Sequence, residues 1–332
     1  MRLTAFFILL ATGIMLSATP LSAADTKETN QNDIVKYSPP ETGFWETVRN
    51  FFLPHYEKRN VISRKESEFF LITVEDDESG RRHLVFHPNR GSQGIILPEH
   101  PDRIIPNFLK YSFLSFPVLE NSPRKILFIG LGAGIMPRFI NRHYPECRID
   151  IVEIDKAIPP IAEKYFGFRQ TGNINVEIED GRFYVNRSKK KYDIIVVDAY
   201  NAENIPFQLT TVEFFRKVKG MLNDKGILVA NIANFGKMNF IKSEFRTVAE
   251  VFPYSAAVVC PGKTNYVLFA SAEPYFTQKR WLKQCGEFDE KHQWHFKLAP
   301  FLETRIPDEK LDEMRKDAKV LKDAFAPVNQ MD

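Results

Sequence analysis

Cysteine is scarce: Cys147, Cys260 and Cys285 are the three in 332 residues. Their number is odd and none sits in a CxxC or Cys/His spacing, which argues against a cysteine-built zinc site, and no metal is expected. An oxidising compartment would permit one disulfide and leave one thiol over, with the pairing open. Net charge is small as well: 45 Lys and Arg against 42 Asp and Glu give +3. That balance offers no case for nucleic acid as a partner. The densest basic run, Arg187 with Lys189, Lys190 and Lys191, falls between an expected helix and strand and reads as a solvated turn. Internal repeats and low-complexity blocks are also lacking.

An apolar run long enough to span a membrane is missing too. The stretch from Leu3 to Leu16 follows Arg2, is interrupted by Thr12 and Gly13, and is followed by Ser17 and Pro20, whereas a spanning helix wants about 20 apolar residues. Small residues then end at Ser22-Ala23-Ala24 before Asp25. This is the order of a secretory signal peptide, with cleavage expected after Ala24. No Cys stands near that point to take a lipid. The expectation is an exported protein, periplasmic or secreted, without a stable membrane anchor. Loss of Arg2 with residues 1–24 lowers the net charge from +3 to +2.

What is present is a chain of 44% hydrophobic composition, enough for one large core with a small satellite domain. Residues 25–60 read as a polar leader followed by a short helix carrying Phe44, Trp45, Val48, Phe51 and Phe52 at helical spacing. Residues 61–122 read as a small antiparallel β domain, whose apolar runs flank Asp76-Asp77-Glu78-Ser79-Gly80 as a hairpin, with a linker helix over Ile104–Leu119. From residue 123 to 328, apolar strands alternate with helical patterns: KILFIG, RIDIVEI, NVEIE, YDIIVVD and GILVANI, then YSAAVVC and NYVLFAS joined by Pro261-Gly262-Lys263. The fold class predicted is α/β, a doubly wound and mostly parallel seven-stranded sheet that closes with an antiparallel pair. The ending from Val320 to Val328 reads as a docked segment.

Gly130, Gly132 and Gly134 follow the first strand of this series and precede a helix, where glycines let backbone N–H groups approach a nucleotide. Their spacing is not the GxGxxG of a dinucleotide site. The second strand ends in Glu153 and Asp155, placing an acid where ribose hydroxyls could be held, although Asp155 also suits a solvated strand end. The third ends in Glu179-Asp180-Gly181, where an acid could meet an adenine amino group. The fourth ends in Asp198-Ala199-Tyr200, and Asp198 is the catalytic candidate, with helix capping or a turn bond as its structural alternative.

The ordered motifs GLGAG, VEID, EDGR, YDIIVVDAY and GILVAN between Lys125 and Asn231 resemble the catalytic domain of the spermidine synthase (polyamine aminopropyltransferase) family. That family shares its fold with S-adenosylmethionine-dependent methyltransferases. Ile205-Pro206-Phe207-Gln208-Leu209-Thr210-Thr211 resembles the longer members of the family, and the likeness covers about residues 62–328. It implies that Gly130, Gly132 and Gly134 approach the nucleoside, that Glu153 holds the ribose, that Asp180 and Gly181 hold the adenine, and that Asp198 accepts a proton. Gln93, Tyr200 and Asn201 are the substrate-side candidates on the same resemblance. The implied co-substrate is decarboxylated S-adenosylmethionine, or S-adenosylmethionine itself, and the implied partner is a small-molecule amine; family members are often homodimers. Ala133 and Asn201 stand where the family usually carries acids, Phe69-Phe70 where it carries Tyr-Gln, and Lys110-Tyr111-Ser112 where a Tyr-His-Glu motif is usual. A pocket with fewer carboxylates should bind a multiply charged polyamine poorly. A methyltransferase, or a non-catalytic exported binding protein on the same scaffold, are the alternatives.

Overall fold

The computed structural model describes residues 59–88, 91–199, 206–234 and 236–324. The expected signal peptide, the leader to residue 58, Tyr200, Asn201 and residues 325–328 of the expected docked ending lie outside the described residues. Four strands, β1 (Arg59–Glu66), β2 (Leu71–Asp77), β3 (Arg82–His87) and β4 (Ser92–Ile96), form an antiparallel sheet in sequence order. The turn at Asp76–Gly80 joins β2 to β3 as its sequence predicts. Strand β1 had no period-2 signature because RNVISRKE lies at the sheet edge, largely exposed, with a register shift between Val61 and Ser63. Ile72, Val74, Leu84 and Phe86 of β2 and β3 project from one face into the main core. Thr73, Glu75 and His83 on the opposite face are buried but paired: the Thr73 hydroxyl donates to Glu75 at 2.7 Å, and His83 meets Asp77 at 2.8 Å.

The linker helix is shorter than the sequence predicts. It comprises α1 (Asn107–Ser112) and a 3-10 turn, Phe113–Ser115, because Pro106 sets its start and Pro117 prevents its continuation. The larger sheet then follows: β5 (Lys125–Ile129), α2 (Ile135–His143), β6 (Arg148–Glu153), α3 (Ile158–Tyr165), β7 (Ile174–Ile178), α4 (Gly181–Arg187), β8 (Tyr192–Val197), α5 (Val212–Met221), β9 (Leu222–Ala233), α6 (Met238–Ala249), β10 (Tyr254–Val259) and β11 (Asn265–Ser271).

The strand order β10-β11-β9-β8-β5-β6-β7 is parallel from β9 to β7, and β11 runs antiparallel to both of its neighbours. The chain winds outward from β5 through β6 to β7 and then returns to the other side of β5 as β8. The switch point therefore opens at the carboxyl ends of β5 and β8, where ligands bind in such sheets. Alternate residues of β8 enter opposite cores: Ile194 and Val196 join one cluster, Ile195 and Val197 the other.

The C-terminal part adds α7 (Gln278–His292) and α8 (Asp308–Lys316). Fully buried Trp281 donates its indole N–H to Leu114 O at 2.9 Å, pinning α7 beneath the linker. Leu321 is docked as predicted, its N–H on the Thr247 hydroxyl and its carbonyl on the Val212 N–H, both at 2.9 Å. The basic run is structural: Arg187 pairs with Glu177 and Glu179, Lys190 with Asp150, and Lys191 donates to Gly220 O. Among the described residues no helix is long and apolar enough to cross a membrane, and no group of three or more His, Cys, Asp or Glu could hold a metal.

The three cysteines are free and buried. Burial pushes the Cys147 and Cys260 thiols up to about 12, and Cys285 up as well. The thiolate is the reactive form, so the folded protein should leave all three unmodified by a thiol reagent at neutral pH. Release of all three on denaturation, counted by mass, checks this.

Glu244 on α6 is buried with one carboxylate oxygen lacking a hydrogen-bond partner among the described residues, and burial pushes its carboxyl up to about 8. Between the ordinary value of 4.5 and about 8 the folded state keeps a proton that the unfolded chain releases, so stability falls across that window as pH rises. Glu244→Gln should match the wild type below the window and melt about 5 °C or more higher at about pH 9. Equal melting temperatures at both ends would show that the carboxyl pays no such cost.

Candidate active site

The glycine loop is fixed by its neighbours. Gly130, Gly132 and Gly134 all have positive φ, at 101°, 53° and 66°. A Cβ on Gly130 would lie 2.2 Å from the Asp198 carbonyl oxygen, because the Asp198 N–H bonds Ile129 O at 2.9 Å and draws the two strand ends together. A Cβ on Gly134 would lie 2.7 Å from the buried Phe168 ring. The loop thereby lies close over the switch point. It enters α2 through Gly134, which takes the N-cap position.

Glu153, at the end of β6, holds this loop. One carboxylate oxygen accepts the Leu131 N–H and the other the Asp155 N–H, each at 2.9 Å, and burial raises its carboxyl above the ordinary range. A carboxylate has about four acceptor positions, so bonds to two amides leave capacity for hydroxyls. Asp155 turns inward and caps the approach to α3 through the Ala157 N–H at 2.9 Å; its second oxygen is buried without a partner among the described residues. Asp180 is the N-cap of α4, one oxygen accepting the Arg182 and Phe183 N–H groups at 2.7 and 3.2 Å. Gly181 permits close packing, since a Cβ there would lie 2.6 Å from Ile129 Cγ2 and 3.6 Å from Leu209 Cδ2.

Asp198 is half-buried at the crevice floor. Burial pushes its carboxyl up to about 6, opposed by the Asn231 side-chain amide, which donates to it at 2.8 Å. Asn231 in turn accepts from the Asn265 amide at 2.9 Å. Sequence reasoning missed this pair of asparagines. Asn231 is the one polar residue inside the buried apolar run of GILVANI, but only the β8–β9 register, Val197 opposite Ala230, brings it beside Asp198.

Three large apolar side chains close in sequence to these groups stay exposed: Ile154 directly after Glu153, Phe183 on α4 three residues after Asp180, and Phe207 in the 3-10 turn Phe207–Leu209 keep 40%, 68% and 48% of their surface. Exposed apolar groups near polar strand ends suit a flat, partly apolar ligand such as a purine.

Of the substrate-side candidates, Gln93 is brought to the loop through its backbone: its main-chain carbonyl oxygen lies 3.6 Å from where a Gly132 Cβ would stand. Ala133 is buried against Gly94 of β4 and adds no charge to the crevice. Phe70 stacks on Phe86 at 4.7 Å, while Phe69 is exposed. Tyr111 is buried and stacked on Phe301 at 4.3 Å.

A family model described as the spermine/spermidine synthase domain matches residues 113–280, just over half of the chain. The chain belongs to the spermine/spermidine synthase family. Among similar curated proteins, a polyamine aminopropyltransferase of Vibrio vulnificus is 44% identical over 214 residues, covering 62% of this chain and 69% of that one. A probable polyamine aminopropyl transferase of Bifidobacterium longum is 30% identical over 256 residues, covering 75% of this chain and 53% of that one. In structure, a probable spermidine synthase from Corynebacterium glutamicum aligns with a TM-score of 0.67 over 81% of this chain and 98% of its own, at 20% identity. The spermidine synthase fold, a small antiparallel sheet beside a seven-stranded mixed sheet, is therefore the fold of this chain.

Proposed function

We propose that this chain is an exported aminopropyltransferase-type enzyme that takes decarboxylated S-adenosylmethionine as donor and a small amine as acceptor, with Asp198 as the proton acceptor. The observation that carries the reading is the Asp198 carboxyl, raised to about 6 and oriented by Asn231, at the switch point beside a glycine cradle. Raised carboxyls in clefts mark functional sites.

Glu153 and the loop it fixes are suited to the ribose, and the second oxygen of Asp180 to the adenine amino group. Gly130, Gly132 and Gly134 let the backbone approach the nucleoside, and the exposed Ile154, Phe183 and Phe207 would offer apolar surface to the base. Gln93 lies beside the loop for the acceptor side. The amine lone pair attacks the methylene carbon next to the sulfonium, and the carbon–sulfur bond breaks with its electron pair going to sulfur. Methylthioadenosine leaves as a neutral thioether. Only a neutral amine is nucleophilic, so Asp198 takes its proton. Burial that lifts the carboxyl toward neutrality makes it a better base at working pH while it stays largely ionised.

The test is turnover by the mature chain with decarboxylated S-adenosylmethionine and a panel of mono-, di- and polyamines, read as product mass. Gain of one aminopropyl group with release of methylthioadenosine is the expected result. Gain of a methyl group from S-adenosylmethionine would instead assign the methyltransferase alternative. No product from any donor and acceptor would leave a binding protein.

A further inference from the structure

Arg182 closes the Glu179-Asp180-Gly181-Arg182 run, yet its guanidinium reaches to the 3-10 turn at the crevice wall. Its Nη1 donates to Gln208 O at 3.3 Å and to the Thr211 hydroxyl at 3.1 Å, and its Nη2 pairs with the Asp323 carboxylate. The other oxygen of Asp323 accepts the Thr211 hydroxyl at 2.6 Å, and the Asp323 N–H bonds Glu213 at 3.0 Å. Thr211 is fully buried and caps α5 through the Phe214 N–H at 3.3 Å. Three pieces distant in sequence, the start of α4, the wall at 207–211 and the docked residues 321–323, thus converge on one side chain.

The two charges are unequally exposed. The Arg182 side chain keeps 17% of its surface and that of Asp323 45%. An exposed ion pair contributes little by itself. Removing the Asp323 carboxylate, however, leaves a mostly buried guanidinium with only neutral partners among the described residues, and its route to water is to swing out, releasing Gln208 and Thr211 together. The released wall is the segment whose Leu209 closes on Gly181 and whose Phe207 stays exposed.

We propose that Asp323 is a positioning residue for the nucleoside half of the site. Acting through Arg182 and Thr211, it holds the Phe207–Leu209 wall against Gly181, beside the place the base would occupy. This rests on the nucleoside-transferase reading above, and one arm of its test does not.

Asp323→Ala should speed hydrogen exchange of amides in residues 181–185 and 207–214 by about tenfold while the sheet is unchanged. It should weaken methylthioadenosine binding about five- to tenfold and raise the donor KM similarly, with kcat within about twofold. Asp323→Asn keeps an acceptor for Thr211 and should recover part of each effect; it also carries the test if the alanine variant does not fold. Unchanged exchange in both segments overturns the proposal. Equal nucleoside affinity in variant and wild type overturns it as well. If the wild type binds no nucleoside, the transferase reading fails and the exchange arm alone decides the latch.

Discussion

Asp198→Asn should lower turnover about a thousandfold or more while leaving nucleoside affinity within a few fold. The amide is nearly the same size and can still meet Asn231, but it cannot take a proton at neutral pH. The wild-type carboxyl, pushed up to about 6, adds a second signature. As an acid with a raised value it is protonated and inactive below that pH and ionised above it, so kcat/KM should fall on the acid side with a midpoint near 6. The variant's residual rate should lack that limb. Asn231→Ala removes the hydrogen bond that opposes burial, so its limb should move to higher pH. Unaltered turnover in Asp198→Asn would place the base elsewhere.

Glu153→Gln is the second large effect, expected in both stability and binding. Each wild-type carboxylate oxygen accepts a backbone N–H, from Leu131 and from Asp155. Glutamine turns one acceptor into an NH2 group, which then faces an N–H donor in a buried place. One bond is lost and two donors oppose each other, at a cost of about 2–4 kcal/mol. The glycine loop carried by Leu131 would shift, and methylthioadenosine affinity should fall about a hundredfold or more. Thermal melting and calorimetry on one preparation check both. An unchanged melting temperature and dissociation constant would mean that the carboxylate does not hold the loop.

Much of the frame was legible because parallel strands buried on both faces write themselves as apolar runs, and each run's last residue marks the sheet's carboxyl edge. Glu153, Asp180 and Asp198 could thus be placed at the ends of three strands consecutive in sequence, and the short Pro261-Gly262-Lys263 link foretold the antiparallel pair β10 and β11. Local hydrogen bonding was less legible. Asp180 combines strand-end position with N-capping, a use set by the helix that starts at Gly181.

The contacts that shape the crevice join residues far apart in sequence, which periodicity does not encode. Asn231 reaches Asp198 through register, Gly94 of the small sheet meets Ala133 of the glycine loop, and Asp323 meets Arg182 and Thr211. Strand β1 escaped notice for the opposite reason: an exposed edge strand needs no apolar alternation.

The most direct measurement is calorimetric titration of the purified protein with decarboxylated S-adenosylmethionine, S-adenosylmethionine and methylthioadenosine. Saturable binding of the decarboxylated donor and of methylthioadenosine, lost in Glu153→Gln and kept in Asp198→Asn, is the predicted result. Absence of heat from all three nucleosides in the folded protein would contradict it.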